Sequence, residues 1–440
     1  MIRSSNLLKT YSTYLHPMRS RVVYDSSKPF EMVFENSEEF EELMLSLHLI
    51  DKYLSTETGL TFETEYPELW QEKKQKIEML FEFLTQRKIS LAFVTRSNLR
   101  RQSQKRLTTN FENGDGVVSL FSGGLDSAAG AIELIKKGCN LALSHTATGH
   151  ITLGKATELL KYPTLNSTPM IITDMRVRES LSSGMPGNNT RGLLFISNAL
   201  VIASCLGFSQ VCVPENGPLM INPDISHGSE ATKNAHPFLI TTLEEIYNHV
   251  TKTKIRIDSL FKDLTKAEIS AKLGNNKIID QTWSCFNVQG QSRMCGACFA
   301  CAVRRLSLLA AGYNEPKETY EINPFSAELQ DRTSALGWKL DDLHDTFVYL
   351  RNFLKSKRFS RNEMFLIPEG FFGDETELMS NFALDMFLGF KKQEEQLGAS
   401  NLGPLGRFAK KIVDEIPQSE LCDREKELER LNPNQLDVVF

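Results

Sequence analysis

The chain has 440 residues, 41% of them hydrophobic and 24% charged, with a formal net charge of −5. This is ordinary globular composition with room for roughly two or three domains, and the mildly acidic balance excludes a general nucleic-acid binder without excluding a local basic patch. No apolar run reaches membrane-spanning length, and the opening "MIRSSNLLKTYSTYL" lacks the apolar stretch and small-residue cleavage site of a signal peptide, so a cytoplasmic location is expected.

In chain order, residues 1–115 read as an appended, mainly helical region. Phe40, Leu43, Met44 and Leu47 recur at helical spacing, and Asn36 with Glu39 forms a capping-box-like start. A second helix is predicted from Pro67 through "ELWQEKKQKIEMLFEFLTQ", followed by a strand, "ISLAFVT". The basic run "RSNLRRQSQKR" has no apolar periodicity; it reads as a solvated linker or, more sharply, as an anion-binding loop. From Gly116 the apolar runs "VVSLF", "NLALSH", "PMIITD", "QVCVPE" and "KIRID" alternate with helical patterns. Near-continuous apolar strands separated by helices predict an α/β fold, a doubly wound parallel sheet covered on both faces, over residues 116–322. Residues 323–440 read as a mainly helical region, and the charged tail from Ser419 is expected to end in mobile residues.

The turn between "VVSLF" and the following helix is Ser122-Gly123-Gly124-Leu125, then Asp126 and Ser127. Such a turn faces the crevice at the carboxyl ends of parallel strands. Its helix start attracts phosphate, glycines let the backbone approach an anion, and Ser122 and Ser127 add hydroxyls. It is neither a Walker A loop nor a dinucleotide fingerprint. Asp126 is left with two readings, organiser of Mg²⁺ or helix cap.

Cys295, Cys298 and Cys301 form C-x-x-C-x-x-C, with Cys285 ten residues upstream. Four thiolates so spaced suit a closed tetrahedral Zn²⁺ site, with an iron–sulfur cluster as the physical rival. Cys139, Cys205, Cys212 and Cys422 read as packing thiols.

The complete run Ser122 to Ser127 resembles the Ser-Gly-Gly-x-Asp-Ser signature of the PP-loop ATP pyrophosphatases. Together with C-x9-C-G-x-C-x-x-C, "CGACFACAVRRLSLLAAG" and "LTKAEI", the stretch Val117 to Gly312 is similar to QueC, the 7-cyano-7-deazaguanine synthase family. The resemblance implies an adenine nucleotide alpha hydrolase fold, ATP cleaved between its α- and β-phosphates, and a structural zinc at the four cysteines. It also implies a substrate akin to 7-carboxy-7-deazaguanine.

On that footing Glu215, with Asn216 beside it, is the leading acceptor for the base's N–H edge, and Asn222 and Asp224 are weaker ones. Lys266 and Arg191, each at a predicted helix start, are candidate cations for the phosphates, and Mg²⁺ is expected with them. His145 ends a strand where the adenine is expected; His227 and His236 are not separable by sequence.

The extra residues at both ends resemble the enlarged QueC-like proteins of bacterial anti-phage defence, including the Qat systems. That implies a protein partner whose amine receives the activated deazaguanine. Three function classes stand: an adenylating ligase acting on a partner protein, a synthase using ammonia, and a non-catalytic nucleotide-binding scaffold. Thiouridine-type chemistry would need a tRNA-binding surface or a redox cysteine pair, for which the sequence offers no support.

Overall fold

The computed structural model describes residues 2–3, 20–23, 30–31, 38–54, 58–96, 115–147, 150–174, 189–223, 225, 233–285, 292–328, 334–359 and 366–433. The basic run after Arg96, the predicted cap at Asn36, Asp224, His227 and the last residues of the tail lie outside them. The chain separates into two compact units. One comprises Met1–Ser122, Gly130–Pro214 and Thr232–Leu260; the other comprises Gly123–Ala129, Glu215–Ala231 and Phe261–Phe440.

The first unit is built on a sheet whose centre is parallel: β6 (Gly116–Leu120), β7 (Asn140–Ala147), β8 (Met170–Asp174), β9 (Gln210–Cys212) and β10 (Arg256–Asp258). The spatial order is β10-β9-β6-β7-β8, continued by β2 (Ser20–Val23) and β3 (Phe30–Glu31). In register, Val118 of β6 lies between Ala142 of β7 and Val211 of β9, and all three are buried. Burial on both faces explains why these strands read as continuous apolar runs rather than alternating ones. The chain winds from β6 outward through β7 to β8, then returns to the other side of β6 for β9 and β10. That reversal makes the carboxyl end of β6, where the glycine turn begins, a topological switch point.

Residues 1–115 contain the two expected helices, α1 (Glu38–Tyr53) and α2 (Pro67–Thr85). They also contribute strands. β2 runs antiparallel to β8 at the sheet margin, and β1 (Ile2–Arg3), β4 (Thr58–Thr64) and β5 (Ile89–Thr95) form a separate three-stranded parallel sheet. Phe40 ties this region to its unit by meeting Tyr247 edge-on at 4.8 Å, and within the region Trp70 stacks on Phe93 at 6.0 Å. Helices α3 (Leu125–Lys136), α4 (His150–Leu159) and α5 (Arg191–Leu206) follow β6, β7 and β8. α5 is buried along most of its length, as its apolar sequence requires.

The second unit is helical. It holds α6 (Gly217–Ile221), α8 (Lys266–Leu273), α9 (Phe299–Ala310), α10 (Ser334–Ser356), α11 (Glu375–Leu397), α12 (Pro404–Val413) and α13 (Gln418–Leu431), while α7 (Pro237–Thr251) belongs to the first unit. α9 and α11 pack so closely that a Cβ at Gly389 would lie 2.0 Å from the Leu306 carbonyl oxygen. Phe325, Phe347, Phe387 and Phe390 fill the core between the helices. In the charged tail, Leu421, Arg424 and Leu428 give α13 one buried face; the last residues, to which the expectation of mobility applies, lie outside the described ones.

Candidate functional site

The turn after β6 requires a glycine at its second residue. Gly123 has φ 83°, in the left-handed region that side chains disfavour. Its carbonyl accepts from the Trp283 amide at 3.0 Å, and Trp283 packs against the cysteine cluster, so the metal segment braces the turn. Ser127 donates its hydroxyl to the Gly124 carbonyl at 2.9 Å, tightening the first turn of α3.

Asp126 does not cap α3. Its carboxylate pairs with the Lys266 ammonium and accepts from Asn216 Nδ2 at 2.7 Å. Burial alone would raise this carboxyl, but Lys266, the Glu215 hydrogen bond and Asn216 together hold it below its ordinary value. The same Asn216 Nδ2 also donates to Glu215 Oε1 at 2.9 Å. Desolvation, and then the Asp126 charge, push Glu215 up to about 8. At neutral pH Glu215 therefore keeps its proton and shares it with Asp126. One carboxylate, one protonated carboxyl, one ammonium and one bridging amide thus form a single cluster of residues 126, 215, 216 and 266.

Local sequence explains how each member is placed. Asn216 caps α6, its Oδ1 accepting from the Leu219 amide at 3.2 Å. Asn222 ends that short helix in the left-handed conformation, φ 50°, which asparagine tolerates better than most residues. Lys266 is the first residue of α8, directly after the N-cap Thr265, whose capping box with Glu268 is complete.

The remaining predicted residues lie in the first unit. Ser122 follows Phe121, whose amide donates to the Ser144 carbonyl at 2.8 Å. His145 Nδ1 donates to the Phe121 carbonyl at 2.7 Å, so its ring is locked beside the entry to the glycine turn. Burial lowers the His145 pKa against the opposing pull of that carbonyl. The neutral ring is left with a buried Nε2 acceptor that has no hydrogen-bond partner among the described residues. Arg191 opens α5. His236 is a structural cap: its Nδ1 accepts from the Phe238 amide at 3.1 Å, its ring lies 4.7 Å from Phe83, and burial drives its pKa down to about 3.

Cys285, Cys295, Cys298 and Cys301 are buried, and their sulfurs all lie within 4.8 Å of one another. Zn–S bonds of about 2.3 Å place the sulfurs of a tetrahedron about 3.8 Å apart. The Cys295–Cys301 sulfur separation is 3.9 Å, so the set fits zinc. Cys295 and Cys298 amides donate to Cys285 and Cys295 sulfurs at 3.4 Å, the arrangement that supports thiolates. Gly296, φ 81°, makes the knuckle: a Cβ there would lie 2.0 Å from the Ile322 carbonyl oxygen. Of the cysteines read as packing thiols, Cys212 is buried, Cys139 and Cys205 are half-buried, and Cys422 is exposed on α13, a correction to its assignment.

With this geometry in place, the relatives can be compared. Residues 188–312 match the family of queuosine biosynthesis protein QueC. That segment is QueC-like. It is 29% identical over 225 residues to the 7-cyano-7-deazaguanine synthase of Thiobacillus denitrificans, covering 45% of this chain and 96% of that protein. The synthase of Pseudomonas fluorescens is 26% identical over 225 residues, 45% of this chain and 93% of its own length. That of Saccharolobus solfataricus is 26% identical over 229 residues, 46% of this chain and 47% of its own length. The QueC-like similarity thus covers less than half of the chain. Sequence reasoning missed the groups outside it that reach the matched segment, Asp51 with Arg87 and Asp385 with Arg424. Only Arg424 had a signal, its place on the Leu421/Leu428 face of α13.

Proposed function

We propose that this QueC-like protein uses ATP to adenylate a 7-carboxy-7-deazaguanine-like carboxylate and then forms an amide with an amine, the N-terminus of a partner protein in bacterial anti-phage defence. The observation that carries the reading is the complete Ser122–Ser127 turn at the switch point of the sheet, with Asp126 held to Lys266. The substrate carboxylate attacks the α-phosphorus and pyrophosphate leaves; the amine then attacks the acyl carbon and AMP leaves.

In this reading Gly123, Gly124 and Leu125 offer backbone to the departing β- and γ-phosphates, and Ser122 and Ser127 offer hydroxyls. Lys266 and Arg191 meet the negative charge that develops there. His145 presents its Nε2 acceptor to the adenine amine. Glu215 and Asn216, with Asn222 nearby in sequence, face the base. Mg²⁺, organised by Asp126, would supply charge neutralisation at the phosphates. Zinc, which Cys285, Cys295, Cys298 and Cys301 would hold, would fix the segment that braces Gly123 and take no part in the bond changes. No described helix is long and apolar enough to cross a membrane, which accords with a cytoplasmic setting.

The test is release of AMP and pyrophosphate from the whole chain with 7-carboxy-7-deazaguanine, alone, with ammonia, and with a co-encoded partner protein. Mass spectrometry of the partner is expected to show the deazaguanine amide. Free 7-cyano-7-deazaguanine as the sole product would favour the second reading, a synthase using ammonia, which the similarity to 7-cyano-7-deazaguanine synthases supports. No AMP with any acid would leave a nucleotide-binding scaffold.

A further inference from the structure

Two helices here begin with a cation directly after a threonine: Thr190 and Arg191 open α5, and Thr265 and Lys266 open α8. A cation in a first turn opposes the helix dipole, so something must hold it there. At α8, Thr265 Oγ1 accepts from the Glu268 amide at 3.2 Å and donates to Asp385 Oδ2 at 2.5 Å. Arg424 closes the arrangement, with Nε on Asp385 Oδ1 at 2.7 Å and Nη2 on Glu268 Oε1 at 2.9 Å. The Asp385 and Arg424 side chains are 0% and 2% exposed, so neither can trade its partner for water.

The first unit repeats the device with different residues. Thr190 Oγ1 donates to Asp51 Oδ2 at 3.0 Å, and Arg87 Nη2 donates to Asp51 Oδ1 at 2.7 Å. In both cases the threonine and the cation lie inside residues 188–312, the segment that matches QueC, whereas the aspartate and arginine lie outside it. A buried ion pair adds little net stability over apolar packing, so stability alone does not account for two of them on two helix starts.

Resting on the adenylation reading above, we infer that Asp385, clamped by Arg424, is a positioning residue that holds Lys266 in register with Asp126. Asp51, clamped by Arg87, holds the start of the Arg191 helix in the same way. The regions outside the QueC-like segment are thereby built into the presentation of its cations.

The experiment titrates the full-length, zinc-loaded chain with a non-hydrolysable ATP analogue plus Mg²⁺, and separately with 7-carboxy-7-deazaguanine. Asp385→Asn keeps the shape of the side chain and removes its charge. It is expected to weaken the nucleotide by about tenfold or more, since small misplacements of a binding group carry large penalties. Affinity for the deazaguanine acid and zinc content stay at parental values. Arg424→Lys, a milder variant that cannot span Asp385 and Glu268 together, is expected to give a smaller loss in the same direction. Asp51→Asn is expected to weaken the nucleotide as well. If Asp385→Asn and Arg424→Lys bind nucleotide like the parent, or lose both ligands equally, the positioning role is overturned while the adenylation reading stands. If the parent itself binds no nucleotide, the adenylation reading falls and takes this inference with it.

Discussion

The N-terminal and C-terminal additions solve one problem with different chemistry. The C-terminal one reaches α8 through the side chains of Thr265 and Glu268, which already satisfy each other's amides. The N-terminal one must replace the cap. Thr190 makes no side-chain cap bond, and Asp51 Oδ2 takes its backbone N–H at 3.1 Å as well as its hydroxyl. His48 completes that site, its Nδ1 lying 3.0 Å from Thr190 Oγ1; burial, then Lys52, lowers its pKa to about 4, so the ring is neutral and donates from Nδ1. One addition adjusts a helix start that is already formed; the other forms it.

The sharpest break is at the cations. Lys266→Ala is expected to cut AMP release by about 10²- to 10³-fold and to lower the melting temperature, since it leaves Asp126 without its buried partner, and Arg191→Ala is expected to cut it by less, because Lys266 is paired to the glycine-turn helix through Asp126. Single-turnover AMP assays rank the two. Removing the metal comes next. Chelation or Cys298→Ser is expected to lower Tm by roughly 10 °C and, by releasing the Trp283–Gly123 contact, to change tryptophan fluorescence. An unchanged spectrum with zinc removed would show that the turn does not depend on this brace.

The two aspartates should cost similar stability, about 3 kcal/mol each for Asp51→Ala and Asp385→Ala, since each leaves an arginine without its buried partner. They should differ in where the structure opens. Hydrogen exchange is expected to rise in the first turn of α5 for Asp51→Ala, but not in the first turn of α8 for Asp385→Ala, where the capping box survives. The threonines sharpen this further: Thr265→Val removes a true cap, about 1 kcal/mol, and Thr190→Val should expose no amide because Asp51 still holds the Thr190 N–H.

The last effect is a slope. Glu215 is raised from 4.5 to about 8, so the folded chain holds a proton there that the unfolded chain releases. Its contribution to stability is full below pH 4.5 and is lost as pH rises through 8. Glu215→Gln should flatten the fall in Tm between pH 6 and 8; a parallel fall in both proteins would place the proton elsewhere.

The elements that were legible are those whose signal is local. Val117 to Phe121 announced a buried strand, Gly123 its sharp turn, Thr265 and Glu268 a helix start, and the four-cysteine spacing a metal site. β2 and β3 escaped notice because short strands at a sheet margin carry too few residues for a period. Cys422 was misread because an apolar thiol on a charged helix gives no sign of which face it occupies. Glu215 was legible as a carboxylate at a strand end, but its proton and its link to Asp126 were not, since both come from neighbours far along the chain.

By itself the sequence determined the parallel sheet, the glycine turn and the metal ligands, because periodicity, left-handed backbone and thiol spacing act over a few residues. Only the tertiary structure decided that Asp126 pairs with Lys266, that Asp385 grips Thr265 and that Asp51 grips Thr190. These contacts join residues more than a hundred positions apart, and burial, which makes an unpaired charge intolerable, selects them.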